Sequence, residues 1–305
     1  MAACLSASLG LSQALASSDG TTCIETRRAA AELLLVPVEV AATGMPGRSY
    51  WFLLDTGSGV TIADGEVAKA LKLAPSARTT VVTMGGPIEA ITSRLSVTFG
   101  AVRVDDLEVV HSPLTEVRAI DPDIHGILGQ DVLRRTNWLL DHRRGVVIQD
   151  PSRTLAPRIG GERVPVRWIG ERPAVDVSFG RSAPVRLVLD SAANGIVLFR
   201  LLAGSATSGS SHLTTLGAGK EAPVYTADTL RIGSTTLAHP AAAVLPQDRD
   251  LDEADGVLPT SLFDSLYFDQ HDGAALVTPP TSTTSPGGRR RIIRPRCEAA
   301  ASLSS

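Results

Sequence analysis

The chain has little of what most ligand chemistries require. Its 305 residues include three cysteines, too few and too scattered for a zinc site by spacing. The six histidines (His111, His125, His142, His212, His239 and His271) show no metal-ligand spacing. No metal or organic cofactor is therefore implied. Gly-x-Ser-x-Gly is absent, which removes the serine-hydrolase elbow. Gly217-Ala218-Gly219-Lys220 runs into Glu221 and lacks the first glycine of a phosphate loop. A formal net charge of −3 gives no general reason to expect nucleic acid as a partner. No apolar run is long enough to span a membrane. What remains, 43% hydrophobic and 20% charged residues, is the composition of a globular chain with room for one large or two ordinary domains.

The N-terminus is short of positive charge, with no Lys or Arg before Arg27. Residues 1–16 are nevertheless rich in Ala, Leu and Ser and end in Ala14-Leu15-Ala16, a small-x-small pattern. Two readings stand: an export signal with an atypical start, giving a periplasmic or secreted protein, or an alanine-rich tail. Met1-Ala2-Ala3-Cys4 loosely resembles a lipoprotein cleavage box, but nothing apolar precedes it. Cys23 and Cys297 flank the region expected to fold; export would permit a disulfide between them, and two free thiols are the alternative. Beyond Pro279 the chain is dominated by Thr, Ser, Pro, Gly and Arg, and disorder is expected over 279–305.

The distinctive stretch is Trp51-Phe52-Leu53-Leu54-Asp55-Thr56-Gly57-Ser58-Gly59. Four apolar residues read as a buried strand. A strand that ends in a carboxylate must supply it with partners, because a buried charge is costly. Thr56 and Ser58 bring hydroxyls, and the glycines permit a tight turn. The same order returns in Val185-Arg186-Leu187-Val188-Leu189-Asp190-Ser191-Ala192.

The surroundings of the two carboxylates repeat as well. Leu33 to Val40 and Tyr50 to Asp55 read as a hairpin around Thr43–Gly47. Asp64 to Leu73 carries a short helical pattern. Thr79–Thr83 and Ile88–Ile91 flank a glycine tip, Gly85-Gly86, as a β-hairpin. Leu95–Phe99 and Val102–Val110 follow as strands. Then come Gly126-Ile127-Leu128-Gly129 and a closing hairpin, Trp138–Asp141 with Val146–Ile148. Pro151 to Gly161 reads as a linker. Afterwards Ala174–Phe179, Val185–Asp190, Gly195–Leu198, the glycine tip at 217–219, Gly256-Val257-Leu258-Pro259 and the hairpin Leu266–Asp269 with Gly273–Val277 recur in the same order. A lone Asp-Thr-Gly is weak, since these are ordinary turn residues. A whole repeat in matched order is much harder to obtain by chance.

Asp55-Thr56-Gly57-Ser58, the Ile-Leu-Gly pattern at 127–129 and their looser second copies resemble the aspartic proteases, in particular the retropepsin-like type. The resemblance covers roughly residues 31–278. It implies an all-β fold of two pseudo-symmetric β-barrel lobes with a cleft between them: lobe one over 31–150, a linker over 151–161 and lobe two over 162–278, with residues 1–30 a signal and flexible N-terminus. It implies an aspartic-type endopeptidase acting on peptide or protein substrates as a monomeric internal pseudo-dimer.

The chemistry needs two carboxyls close enough to share a proton, one to accept a proton from water and one to supply one. By resemblance Asp55 and Asp190 are that pair. Thr56 and Ser191 would cross-link their loops, and the N–H groups of Gly57 and Ala192 would donate to the carboxylates. Gly85 and Gly86, and their counterparts Gly217, Ala218 and Gly219, would be flap tips over the substrate; an ordinary surface hairpin has the same signature. Ser58 can donate a hydrogen bond to Asp55, whereas Ala193 offers Asp190 no hydroxyl, so the shared proton is expected on Asp190. The second copy departs from the pattern at Ala193 and at Pro259, which has no N–H. An inactive peptide-binding or scaffold protein that keeps the cleft is the alternative function.

Overall fold

Short apolar strands separated by glycine turns assemble into three sheets in the computed structural model, which describes residues 15–17, 19–202, 206–215, 218–245, 254–280 and 297. The fold is all-β, with a few helices of one or two turns. The longest helix, Gly65–Ala70, begins where the Asp64 side chain accepts a hydrogen bond from the Glu66 N–H at 2.9 Å, an N-cap that occupies an otherwise orphaned donor.

The first sheet has eight strands, in the order Arg27–Arg28, Leu34–Ala41, Arg48–Leu54, Gly126–Leu128, Ile62–Ala63, Val102–His111, Gly86–Phe99 and Ala77–Thr83. Leu34–Ala41 also pairs with Gly86–Phe99, so the sheet curls on itself. At its centre the short strand Gly126–Leu128 lies parallel to Arg48–Leu54 (Ile127 opposite Leu53) and antiparallel to Ile62–Ala63. Gly126 is required there, because a methyl group would enter the Phe52 ring.

The second sheet, of ten strands, repeats that centre. Gly256–Pro259 lies parallel to Val185–Asp190 (Val257 opposite Val188) and antiparallel to Ile196–Leu198. Buried on both faces, these strands carry continuous apolar runs rather than alternation. In each half a carboxylate ends the strand that the short crossing strand clamps.

The third sheet joins the halves. Its seven strands run Leu15–Ala16, Thr22–Glu25, Val146–Gln149, Trp138–Asp141, Ser265–Asp269, Ala274–Thr278 and Glu162–Pro165. The two closing hairpins meet edge to edge, with Trp138 opposite Phe268 and Leu140 opposite Leu266. The Trp138 and Phe268 rings stack 4.5 Å apart, and both are buried. Pairing the hairpins removes two exposed edges at once.

Several stretches differ from the sequence reading. The N-terminal segment is strand rather than flexible lead: Thr22–Glu25 pairs with Val146–Gln149, because Cys23 and Ile24 supply apolar side chains to the core. Gly86–Phe99 is one strand of 14 residues, not two. The stretch after Asp150 is pinned: Asp150 accepts hydrogen bonds from the Thr154 N–H at 2.8 Å, the Leu155 N–H at 2.8 Å and the Tyr267 hydroxyl at 2.9 Å. Cys23 and Cys297 form a disulfide with their Cα atoms 5.7 Å apart. Most of the expected export signal and, Cys297 apart, the tail beyond residue 280 lie outside the described residues. No helix among the described residues is long and apolar enough to cross a membrane.

One histidine sits buried in the seam between the halves. His142 Nε2 lies 3.0 Å from Thr260 Oγ1, and its backbone N–H donates to the Asp264 carbonyl at 3.0 Å. Burial, assisted by the charge of Arg28, pushes its pKa down to about 4. The unfolded chain therefore binds a proton here between about pH 6.5 and 4 that the folded chain refuses. This contribution is fully present above pH 6.5 and is lost as pH falls towards 4. Between pH 7 and 4, urea unfolding should show wild type losing about 3 kcal/mol more stability than His142→Asn. Equal losses in the two proteins would mean that His142 does not limit acid stability.

Candidate active site

Phe52, Leu53 and Leu54 bury completely or nearly so, and their strand carries Asp55 to the floor of the cleft between the halves. Asp190 arrives in the same way behind Leu187, Val188 and Leu189. The two loops are locked by a reciprocal cross of hydroxyls. The Thr56 hydroxyl donates to the Leu189 carbonyl at 2.7 Å and accepts from the Ser191 N–H at 2.9 Å. The Ser191 hydroxyl donates to the Leu54 carbonyl at 2.7 Å and accepts from the Thr56 N–H at 3.0 Å. Each buried hydroxyl is thus used as donor and acceptor, the full satisfaction such groups need.

The cross brings the Asp55 and Asp190 carboxyls within hydrogen-bonding reach of each other. The Gly57 N–H donates to Asp55 Oδ1 at 2.9 Å, and the Ala192 N–H to Asp190 Oδ1 at 2.7 Å. Position 57 cannot carry a side chain: a Cβ there would lie 2.5 Å from Asp190 Oδ2. At 192 the alanine methyl instead finds room against the apolar cluster of the first half that includes Leu33, Leu53 and Ile127.

Two expectations about the loops are corrected. The Ser58 hydroxyl does not reach Asp55; it donates to the Val60 carbonyl at 2.7 Å, because the tight turn points it back along its own loop. Ala193, expected to leave Asp190 short of a donor, contributes its backbone N–H at 3.1 Å. With the Ser58 hydroxyl engaged elsewhere and the Ala193 N–H present, the basis for expecting the shared proton on Asp190 is gone. Burial raises both carboxyls, and the charge of Asp190 adds to the rise at Asp55. Backbone N–H groups oppose the rise on each side, those of Gly57 and Ser58 at Asp55 and those of Ala192 and Ala193 at Asp190. Two such acids ionise as a coupled pair.

Above the pair is a cleft of about 410 Å³. Leu33, Leu53, Ile62, Val117 and Ile127 wall one side, and Val188, Val197, Phe199, Leu213 and Val257 the other. The hairpin of Ala77–Thr83 with Gly86–Phe99 reaches over it. Thr83 and Met84 face the cleft, while Gly85 and Gly86 only make the turn; Gly86 has φ +120° and its carbonyl accepts from the Thr83 hydroxyl at 2.7 Å. Met84 packs against the cluster of Val197, Leu245 and Val257 of the second half, and Lys220 Nζ donates to its carbonyl at 3.4 Å. In the matching hairpin, Thr207–Thr215 with Ala218–Thr226, Leu213 lines the cleft and Gly219 does not; its partner in the ladder is Thr214. Ala218 opens the returning strand, and Gly217 lies outside the described residues.

Sequence reasoning missed the supports of this site. Gln130 donates through Nε2 to the Thr56 carbonyl and through its N–H to the Ser58 carbonyl, both at 2.9 Å. Asp131 accepts from the Thr61 N–H at 2.8 Å and hydroxyl at 2.6 Å. Their place directly after the Ile-Leu-Gly pattern was the available signal. Glu171 and Arg172, at the hairpin tip next to Gly59, had none. Among the described residues no cluster of three or more His, Cys, Asp or Glu could hold a metal.

Residues 36–132 match the family model described as aspartyl protease. The match contains Asp55, the hairpin of Ala77–Thr83 with Gly86–Phe99 and the Gly126–Leu128 crossing; Asp190 lies beyond it. No match was found among curated proteins. The match is thus a likeness of one segment within the first half of an all-β chain.

Because Ser58 spends its hydroxyl on Val60, Ser58→Ala should leave the titration of the Asp55–Asp190 pair unchanged. Carbon-13 spectra of protein labelled at the aspartate carboxyl carbon, recorded against pH, check this; an upward shift of the lower midpoint would put Ser58 back among the donors.

Proposed function

We propose that the protein is an aspartic-type endopeptidase, a tandem retropepsin-like pseudo-dimer with one catalytic pair made from both halves. The observation that carries this reading is the reciprocal Thr56–Ser191 cross, which holds two carboxyls from equivalent loops face to face at the floor of an apolar cleft. A structural pair of acids would gain nothing from such placement, since two carboxyls sharing one site raise each other's pKa at a cost in stability. The same arrangement suits acid–base work at one water molecule.

In this mechanism the pair holds one proton. The ionised carboxyl takes a proton from a water lying between the two groups, the water oxygen attacks the peptide carbonyl carbon, and the protonated carboxyl gives its proton to the carbonyl oxygen. In the collapse the newly protonated carboxyl donates to the amide nitrogen while the other takes a proton from a diol hydroxyl. The C–N bond breaks, and amine and carboxylic acid leave a singly protonated pair again. Only monoprotonated enzyme can begin the cycle, so activity follows a bell-shaped pH profile belonging to the pair. The apolar walls exclude bulk water and suit a peptide with apolar side chains flanking the scissile bond. The pinned Cys23–Cys297 bond fits an exported, periplasmic or secreted protein.

Asp55→Asn and Asp190→Asn should each reduce cleavage of fluorescein-labelled casein by at least about 100-fold, since general acid–base groups contribute about 10²–10⁴, with thermal unfolding preserved. A folded Asp190→Asn protein that cleaves as well as wild type would remove the second half from the mechanism. Gly57→Ala should be as damaging as either, because the methyl displaces Asp190, whereas Ala192→Gly should retain activity within about 10-fold.

A further inference from the structure

An extended peptide sends successive side chains to opposite faces. Two residues that flank a scissile bond lying over Asp55 and Asp190 therefore point apart, one towards each wall of the cleft. The two walls are not equivalent.

The first-half wall is aliphatic and pinned. Leu53, Ile62 and Ile127 come from strands, and Val117 and Ile120 from the short helix Thr115–Arg118 and the turn after it. The start of that helix is tied to Asp64, which accepts from the Leu114 N–H at 3.3 Å and pairs with Arg118 at 3.5 Å. The turn is held from its other side by Arg27, paired with Asp121 at 3.0 Å and with Asp123 at 2.8 Å.

The second-half wall is built on Val188, Val197 and Val257, and it is partly covered. Met84, at the tip of the first half's hairpin, packs against the cluster of Val197, Leu245 and Val257. Leu213, from the second half's own hairpin, and Phe199 pack on the same cluster. Both hairpins thus load one wall. The tip that carries Met84 is stiff, because the Thr83 hydroxyl donates to the Gly86 carbonyl at 2.7 Å and accepts from the Gly85 N–H at 3.0 Å. From the opposite hairpin Lys220 Nζ donates to the Met84 carbonyl at 3.4 Å. Met84 is half-buried there, and an unbranched thioether chain adapts well to an irregular apolar gap.

We propose that Met84 is a specificity-determining residue: seated on the second-half wall, it limits that side of the cleft to a small side chain and leaves the first-half wall to a large aliphatic one. This specificity rests on the peptidase reading for its scissile bond. The substrate class is then a peptide in which the bond to be cut joins a large aliphatic residue to a small one such as alanine. The direction in which the peptide crosses the cleft decides which of the two comes first.

Three peptides of one flanking sequence, with Leu-Ala, Ala-Leu or Leu-Leu as the central pair, test this on the full chain. Wild type should cleave one of the two mixed peptides with a kcat/KM at least about tenfold above that for Leu-Leu, since one methylene in a tight apolar pocket is worth about 10–200-fold. Met84→Ala should bring Leu-Leu level with that mixed peptide or above it, and Met84→Leu, which conserves volume, should keep the wild-type ranking. Met84→Ser serves as a second small variant if the alanine protein fails to fold. Calorimetric binding of the same peptides, with the central amide replaced by a methylene-amine that cannot be hydrolysed, should repeat the ranking without turnover. Equal values for Leu-Leu and the mixed peptides in wild type, or an unchanged ranking in a folded small variant, would overturn the role of Met84, as would failure of all three analogues to bind. Ranked binding that Met84→Ala abolishes, in a protein that cuts none of the peptides, would defeat the peptidase reading and leave the assignment of Met84 standing.

Discussion

Thr56 and Ser191 sit back to back where water does not reach, and each hydroxyl both gives and receives a hydrogen bond across the seam. A hydroxyl in such a place costs free energy unless its capacity is used, and leaving one partner unmade costs about 1–3 kcal/mol. Because each partner lies on the opposite half, the cost is avoided only when the halves meet in one register. That register fixes the carboxylates one residue upstream. The clamping strands Gly126–Leu128 and Gly256–Pro259 hold the two loops from behind, and the seven-stranded sheet holds the halves from below. Precision at the floor of the cleft thus depends on four hydrogen bonds, and the rest of the fold makes those bonds unavoidable.

The two halves share this plan without sharing its details. In the first half Gly129 presses on the Val60 carbonyl, where no methyl fits, and its N–H donates to the Thr61 hydroxyl at 3.2 Å. The second half has Pro259 at the corresponding place, opposite Asp190 in the parallel ladder, and has Gly195 and Ile196 where the first has Val60 and Thr61. With no threonine hydroxyl at 196 to receive an N–H, a residue without one is tolerable. The departures that made the second half look degraded are local substitutions around an intact crossing.

Much of this was legible in the sequence, and the reasons differ by element. The Asp loops, the crossing strands and the closing hairpins announce themselves because a buried strand must be apolar throughout and a tight turn must carry glycine or a small polar residue. The strands between Thr207 and Ala238 were not legible apart from the glycine tip. Thr207–Thr215 is almost wholly Ser, Thr and Gly, and pairs as part of an exposed hairpin that needs little apolar pattern. Thr22–Glu25 was hidden by its brevity. The direction of the Ser58 hydroxyl and the arrival of Arg172 at the cleft are tertiary facts. One is set by the turn angle of a loop, the other by a hairpin that begins more than a hundred residues after Asp55.

The Cys23–Cys297 bond joins residues 274 apart in sequence, and so turns nearly the whole chain into a covalent ring. Cys23 belongs to the strand that borders Val146–Gln149, so the ring closes on the face of the sheet that both halves share. A ring tolerates one break. If a peptide bond is cut once in a surface loop, the two pieces stay tied at the disulfide and interleaved through the shared sheet, and the loops beneath the cleft keep their register. That topology makes a single nick survivable.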